Sequence, residues 1–181
     1  MKKFGVRLLP MLAVVLMLGL ASGAAVAQPV GDASIYFVTY FSNNVPGAPD
    51  ATVRIINDGY TSALFASYFV FDDSQELTEC CSCYITPDGI NSESVQKNLT
   101  ANPLTGKVPT RGVIKVVVSE PGLHGFATHI QALPTGYAIT EAPLLDANLT
   151  AGEQNLLFTL CNFSYLLSGS PCTCTPEDHD F

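Results

Sequence analysis

The six cysteines of this chain stand in two groups far apart: Cys80, Cys81 and Cys83 in the run E-C-C-S-C, and Cys161, Cys172 and Cys174 toward the C-terminus. Any bridge between the groups ties the middle of the chain to its end, so both must belong to one folded body. Closing a loop of that length contributes about 2–4 kcal/mol, most of it by restricting the unfolded chain. In an extended strand, side chains alternate between faces. Cys81 and Cys83 therefore share one face while Cys80 takes the other, and Cys172 and Cys174 also share a face. Two such strands running antiparallel are bridged twice, as Cys81–Cys174 and Cys83–Cys172, which leaves Cys80–Cys161. This is one connectivity among several.

The same sulfurs admit other chemistry. Thiolates at Cys81, Cys83, Cys172 and Cys174 would suit zinc or copper(I), although structural zinc sites mostly space their ligands more widely. Cys80 and Cys83 have C-x-x-C spacing, but they lack the helix start that activates a redox pair.

Compartment bears on that choice. Lys2, Lys3 and Arg7 precede an apolar run from Leu8 to Leu20, and small residues follow, ending Ala25-Val26-Ala27. This is the pattern of a secretory signal peptide, residues 1–27, cleaved after Ala27. A membrane anchor needs about 20 predominantly apolar residues, and this run is shorter. The expected protein is therefore secreted or periplasmic, where thiols become disulfides, and it has no membrane attachment once the leader is gone.

Removing 27 of the 181 residues leaves 154. A domain of that size buries about 70% of its unfolded surface. One domain over 28–174 is expected, with 175–181 as an acidic tail. Three of the eight basic residues lie in the leader, so the remainder has five against sixteen acids, a net of −11. Nucleic-acid binding depends on basic residues displacing counterions, and that class of partner is set aside.

Between the cysteine groups the pattern is one of short strands. Residues 33–41 alternate Ile35, Phe37 and Phe41 with Tyr36, Val38 and Tyr40, and both sets are apolar, as in a strand covered on both faces. Further strands are read at 51–56, 64–71 and 111–119, where Ile114, Val116 and Val118 share a face, and at 125–133 and 137–142. At 125–133 the pattern sets Phe126, Thr128 and Ile130 against a wet side with His129 and Gln131. Asn57-Asp58-Gly59 suits a left-handed turn, and Thr86-Pro87-Asp88-Gly89 reads as a type I turn. Residues 92–100 are ambiguous.

One helix is expected over 150–168. Thr150 and Glu153 form a capping box, Leu156, Leu160, Phe163 and Leu167 make the buried stripe, and Gly169 and Pro171 end it. Phe158 and Tyr165 point away from that stripe, either over a neighbouring loop or toward a protein partner. Together these elements predict a mainly β fold, an antiparallel β-sandwich of immunoglobulin-like architecture with one C-terminal helix.

The run F-D-D-S-Q-E-L-T-E-C-C-S-C at 71–83, with N-P-L-T-G at 102–106 and R-G-V-I-K at 111–115, resembles a group of small secreted bacterial proteins. The resemblance implies export from a bacterium and brings no activity, ligand or site residue.

Motifs for catalysis are missing. His124 and His129 are five apart and face opposite sides of a strand, while His179 sits in the tail. There is no H-E-x-x-H, no G-x-S-x-G and no phosphate loop. A hydrolase would need His129 within about 3.2 Å of both a serine and a carboxylate. The acids Asp72, Asp73, Glu76 and Glu79 lack the pattern of a calcium loop and read as a solvated turn, with Asp72 or Asp73 capping a helical turn at 74–77. The function expected is a non-catalytic module for binding or structure, with no cofactor. The alternative is a thiolate metal-binding or redox protein.

Overall fold

The computed structural model describes residues 35–43, 45–60, 62–99 and 108–168, less the side chains of 165, 167 and 168. The leader 1–27, the cysteines at 172 and 174 and the tail 175–181 lie outside the described residues. The strands are β1 (Tyr36–Ser42), β2 (Thr52–Asn57), β3 (Leu64–Asp72), β4 (Leu77–Ile85), β5 (Ile90–Ser94), β6 (Arg111–Val118), β7 (Leu123–Ala132), β8 (Tyr137–Pro143) and β9 (Leu145–Asp146); the helices are α1 (Val95–Asn98) and α2 (Ala151–Ser168).

One sheet has the order β4-β3-β6-β1-β9 and the other β5-β2-β7-β8, and neighbouring strands run antiparallel. The sheets pack face to face. Phe37, Phe41, Tyr68, Val70, Ile114 and Val116 of the first meet Val53, Ile55, Leu123 and Ala127 of the second in one core. The expected sandwich with a C-terminal helix is the fold found.

Strand alternation divides the β4 cysteines as the spacing requires. Cys81 and Cys83 join the inter-sheet core, whereas Cys80 points outward into a second cluster with Tyr36, Phe69, Val117, Leu149 and Leu157. That second cluster lies beneath α2. There Cys80 is bonded to Cys161 with a Cα–Cα distance of 5.7 Å. Cys81 and Cys83 are also disulfide-bonded. The pairings Cys81–Cys174 and Cys83–Cys172 fall on residues outside the described ones.

The bridge corrects the expected helical stripe. The face of α2 that meets the sheet carries Leu157, fully buried, and Cys161, while Leu156 is 51% and Phe163 60% exposed. Successive helical residues are about 100° apart, and the Cys161 bond turns Leu157, four residues back, inward in place of Leu156. Phe158 leans edge-on against Phe69 of β3 with ring centroids 5.3 Å apart.

Half of the capping box forms. Thr150 Oγ1 accepts the Glu153 amide at 3.1 Å. The Glu153 carboxylate turns to the sheet instead, accepting from Tyr36 Oη at 3.1 Å and Lys115 Nζ at 2.5 Å. Burial, followed by the Glu153 charge, pushes the Tyr36 hydroxyl well above the usual phenol range, so it stays a donor. The buried ends of the helix and of β1 are thus joined by charge-assisted bonds as well as by sulfur.

Other local expectations also change. Gly59 has φ 77 in the expected turn after β2. Asp88 has φ 59 and the Gly89 amide meets the Thr86 carbonyl at 2.9 Å, so the turn after β4 has a left-handed third residue and is not type I; aspartate tolerates that conformation. Residues 74–77 form no helical turn. Asp72 Oδ1 accepts the amides of Ser74 and Glu76, which closes a tight reversal between β3 and β4 with Gln75 at φ 68. Within the ambiguous 92–100 stretch, residues 92–94 end β5 and 95–98 form α1, where Asp50 accepts the Gln96 amide.

Gly112 in β6 is required by close approach. A Cβ there would lie 1.9 Å from the Phe71 carbonyl oxygen and 2.8 Å from the Phe41 ring.

Two predictions concern β4 and the helix bonded to it. Replacing both Cys80 and Cys161 with alanine lowers stability by about 2–4 kcal/mol, read by thermal or denaturant unfolding, with α2 amides losing hydrogen-exchange protection first. At Glu79, burial pushes the carboxyl up to about 7 against the opposing pull of the Cys80 amide. The folded state then holds this proton more tightly than the unfolded chain, so stability falls as pH rises from about 4.5 to about 7. Glu79→Gln flattens that part of the stability–pH curve, and an unchanged curve would refute the assignment.

Candidate functional site

β8 and β9 are almost continuous, and the chain changes sheets between them. Pro143 still pairs with Phe126 of β7 in the second sheet, whereas Leu145 pairs with Val38 of β1 in the first. Between them the Leu144 amide meets the Gly125 carbonyl at 2.8 Å, and the Leu144 side chain enters the core. Gly125 is small for this reason, since a Cβ there would lie 2.3 Å from Leu144 Cδ1.

This crossing leaves a gap along β1. The Ala147 amide donates to the Tyr36 carbonyl at 2.8 Å, so the carbonyls of Tyr36, Val38 and Tyr40 all face the β9 edge, because strand carbonyls alternate in direction. β9 pairs only with Phe37 and Val38. Extending its register would set residue 143 opposite Tyr40, and Pro143 has no N–H to give. The missing donor comes from the other sheet: His129 Nε2 lies 3.0 Å from the Tyr40 carbonyl.

His129 is held closely. It is 4% exposed, its ring stacks on that of Tyr40 with centroids 4.0 Å apart and planes at 20°, and Thr39 Oγ1 lies 3.4 Å from Nε2. A carbonyl can only accept, so Nε2 carries the proton and Nδ1 keeps its lone pair. Burial pulls the imidazole pKa below its usual value, opposed by the bond to Tyr40, and the ring stays neutral at physiological pH.

Beside the stack is a hollow of about 410 Å³ walled by Val38, Val113, Ala142, Pro143 and Leu145, with Thr39, Tyr40 and His129 as its polar members. Its volume falls within the range of small-molecule sites. No charged side chain lines it.

The expectation that His129 faces a wet side is corrected. The inward face of β7 carries Leu123, Gly125, Ala127 and His129, and Phe126 and Thr128 are only half-buried. Two small residues, of which Gly125 makes room for Leu144, hid the inward face from a hydrophobicity pattern. Pro143 followed directly by the apolar pair Leu144-Leu145 was the available signal of a strand changing sheets.

Of the other sequence candidates, His124 is exposed with Nε2 3.5 Å from Asp58 Oδ2, far in role from His129, and His179 lies outside the described residues. Asp73 pairs with Arg111 at 2.7 Å and Asp72 closes its turn, so those two acids act locally. Among the described residues no group of three or more His, Cys, Asp or Glu side chains is placed to hold a metal ion, and no helix is long and apolar enough to cross a membrane. The side chain of Tyr165 lies outside the described ones.

A buried polar chain also links the sheets. Tyr68 Oη donates to Asn91 Oδ1 at 2.7 Å and Asn91 Nδ2 to Glu93 Oε1 at 2.9 Å. Burial, with the Glu93 charge adding to it, pushes the Tyr68 hydroxyl well up. The arrangement joins β3 to β5.

No protein-family model matches the chain, and no curated protein matches it significantly. The crystal structure of Thermotoga maritima 1070 is similar in shape, at 13% identity and a TM-score of 0.39, over 64% of this chain and 95% of that one.

Removing the imidazole with His129→Ala leaves the Tyr40 carbonyl without its donor and costs about 1–3 kcal/mol. In the wild type, the unfolded chain takes up a proton at this histidine below pH 6.5 that the folded state refuses, so stability falls as pH drops through the folded pKa. Denaturant unfolding between pH 4 and 8 reads both effects, and His129→Ala removes this acid-side loss.

Proposed function

We propose that the chain is an exported, non-catalytic binding module, secreted or periplasmic, and that the hollow beside Tyr40 and His129 is its ligand seat. The observation that carries this reading is a charge-free apolar concavity with one buried, neutral imidazole fixed in its wall. Disulfide pairing at Cys80, Cys81, Cys83 and Cys161 supports an oxidising compartment and favours this reading over thiolates that hold metal or cycle electrons.

The surroundings of His129 support binding without turnover. A general base needs a nucleophile and an orienting group in reach, but Nε2 is engaged by a backbone carbonyl, the nearest hydroxyl is that of Thr39 at 3.4 Å, and no carboxylate lines the hollow.

A second reading is a protein contact through α2. Phe158 is turned toward Phe69, but Leu156, Phe163 and Leu166 stand exposed on the outer side of the helix, and exposed apolar clusters mark interaction surfaces.

The test is to express the full chain with its leader in a bacterium and recover the mature protein from the exported fractions. The expected mass begins at Gln28 and is six hydrogens below the fully reduced value. Neutral apolar fragments should then raise its melting temperature, and Val113→Trp, which fills the hollow, should abolish that shift. A reduced cytosolic product, stoichiometric zinc or copper, or fragments that act equally on Val113→Trp would overturn the reading.

A further inference from the structure

The polar side chains that line the hollow are Thr39, Tyr40 and His129, and for the imidazole the structure fixes the sense of the contact on offer. The proton of His129 is on Nε2, committed to the Tyr40 carbonyl at 3.0 Å, so Nδ1 can only accept. Both hydrogen-bond contacts of the ring, to the Tyr40 carbonyl and to Thr39 Oγ1, are made through Nε2. His129 lines the hollow, so a ligand seated there meets the imidazole.

The walls set the rest of the ligand's chemistry. Charged ligands are disfavoured, because no counter-charge lines the site and an unpaired buried charge is costly. A sugar would leave several hydroxyls without partners, since Thr39, Tyr40 and His129 are the polar side chains present. An added peptide strand would seek the Tyr40 carbonyl, which His129 already occupies. One face of the Tyr40 ring is stacked on His129, yet the residue is 50% exposed, so its other face remains for a ring that stacks on it.

We infer that the hollow binds a neutral, mainly apolar molecule of one or two aromatic rings that carries a single hydrogen-bond donor, such as a phenolic hydroxyl or an indole N–H, with the ring on Tyr40 and the donor on Nδ1 of His129. This inference rests on the binding-module reading above and names the ligand class for that site.

Phenol and anisole make the decisive pair of probes, since they share a ring and differ in the donor. Binding is followed on the disulfide-intact protein by NMR, through the methyl groups of Val38, Val113 and Leu145 and the imidazole nitrogens of His129. Phenol is expected to bind about 5–10-fold more tightly than anisole, the share of one neutral hydrogen bond, and to shift the 15N resonance of Nδ1 where anisole does not. His129→Phe keeps an aromatic ring against Tyr40, removes the acceptor and should erase the preference while anisole still binds. If that variant does not fold, the wild-type Nδ1 shift decides alone.

Equal binding of both probes without a shift at Nδ1 would overturn the donor assignment and leave the hollow as an apolar binding site. If neither probe, nor toluene, shifted the three methyl groups saturably, the hollow itself would be refuted as a binding site.

Discussion

The bond between Cys80 and Cys161 decides which side of α2 is inside. The helix is apolar on more than one face: Leu156, Leu160 and Phe163 make one stripe, and Leu157 and Cys161 make another. Burial alone does not separate them strongly, because each offers comparable apolar area. A covalent link at Cys161 does, since it fixes the rotation of the helix about its axis and its position over β4. The same link brings the first helical turn over β1 and β6, where Glu153 meets Tyr36 and Lys115. The disulfide and the ion pair therefore act together, one setting rotation and the other anchoring the N-terminal end. Exposed Leu156 and Phe163 are the consequence of that choice.

Strand alternation gives the cysteines of β4 separate tasks. Cys80 faces the helix, and Cys81 and Cys83 face the inter-sheet core, so sulfur reaches both layers that pack against this edge strand. In a net acidic chain of this size, such covalent ties supplement a core whose two sheets are otherwise held by apolar contact and by the Tyr68–Asn91–Glu93 chain. β4 lies at the edge of its sheet, where backbone pairing is available on one side only, and cross-links there compensate for the missing neighbour.

The sandwich was legible in the sequence, and the site was not. Alternating β-branched and aromatic residues marked the strands, Thr150 marked the helix start, and the spacing of Cys80, Cys81 and Cys83 marked the division between faces. Each of those signals is local. The hollow depends on residues 40, 129 and 143, which come together only because the chain changes sheets at Leu144. The pattern around His129 also points the wrong way: Gly125 is inward and small because Leu144 needs its space, Ala127 beside it is small too, and small residues weaken the apolar signal of the face they occupy. Rotation of α2 was hidden for a related reason, since a disulfide partner 81 residues away outweighs the helix's own periodicity.

The size of the hollow argues that it is a feature of the surface and not a fault in packing. Sealed apolar cavities cost about 24 cal/mol per Å³, so an empty, closed space of about 410 Å³ would cost on the order of 10 kcal/mol, comparable to the whole stability of a small domain. It must therefore be open to water. Water against such walls has few partners, and poorly ordered water is displaced with a gain in affinity by apolar groups. His129 makes that opening tolerable to the fold. It supplies the donor that Pro143 lacks, keeps the Tyr40 carbonyl satisfied without another strand, and holds the Tyr40 ring upright at the rim. The edge where backbone pairing stops is thus stabilised by a side chain, and the space that a longer β9 would have filled stays open.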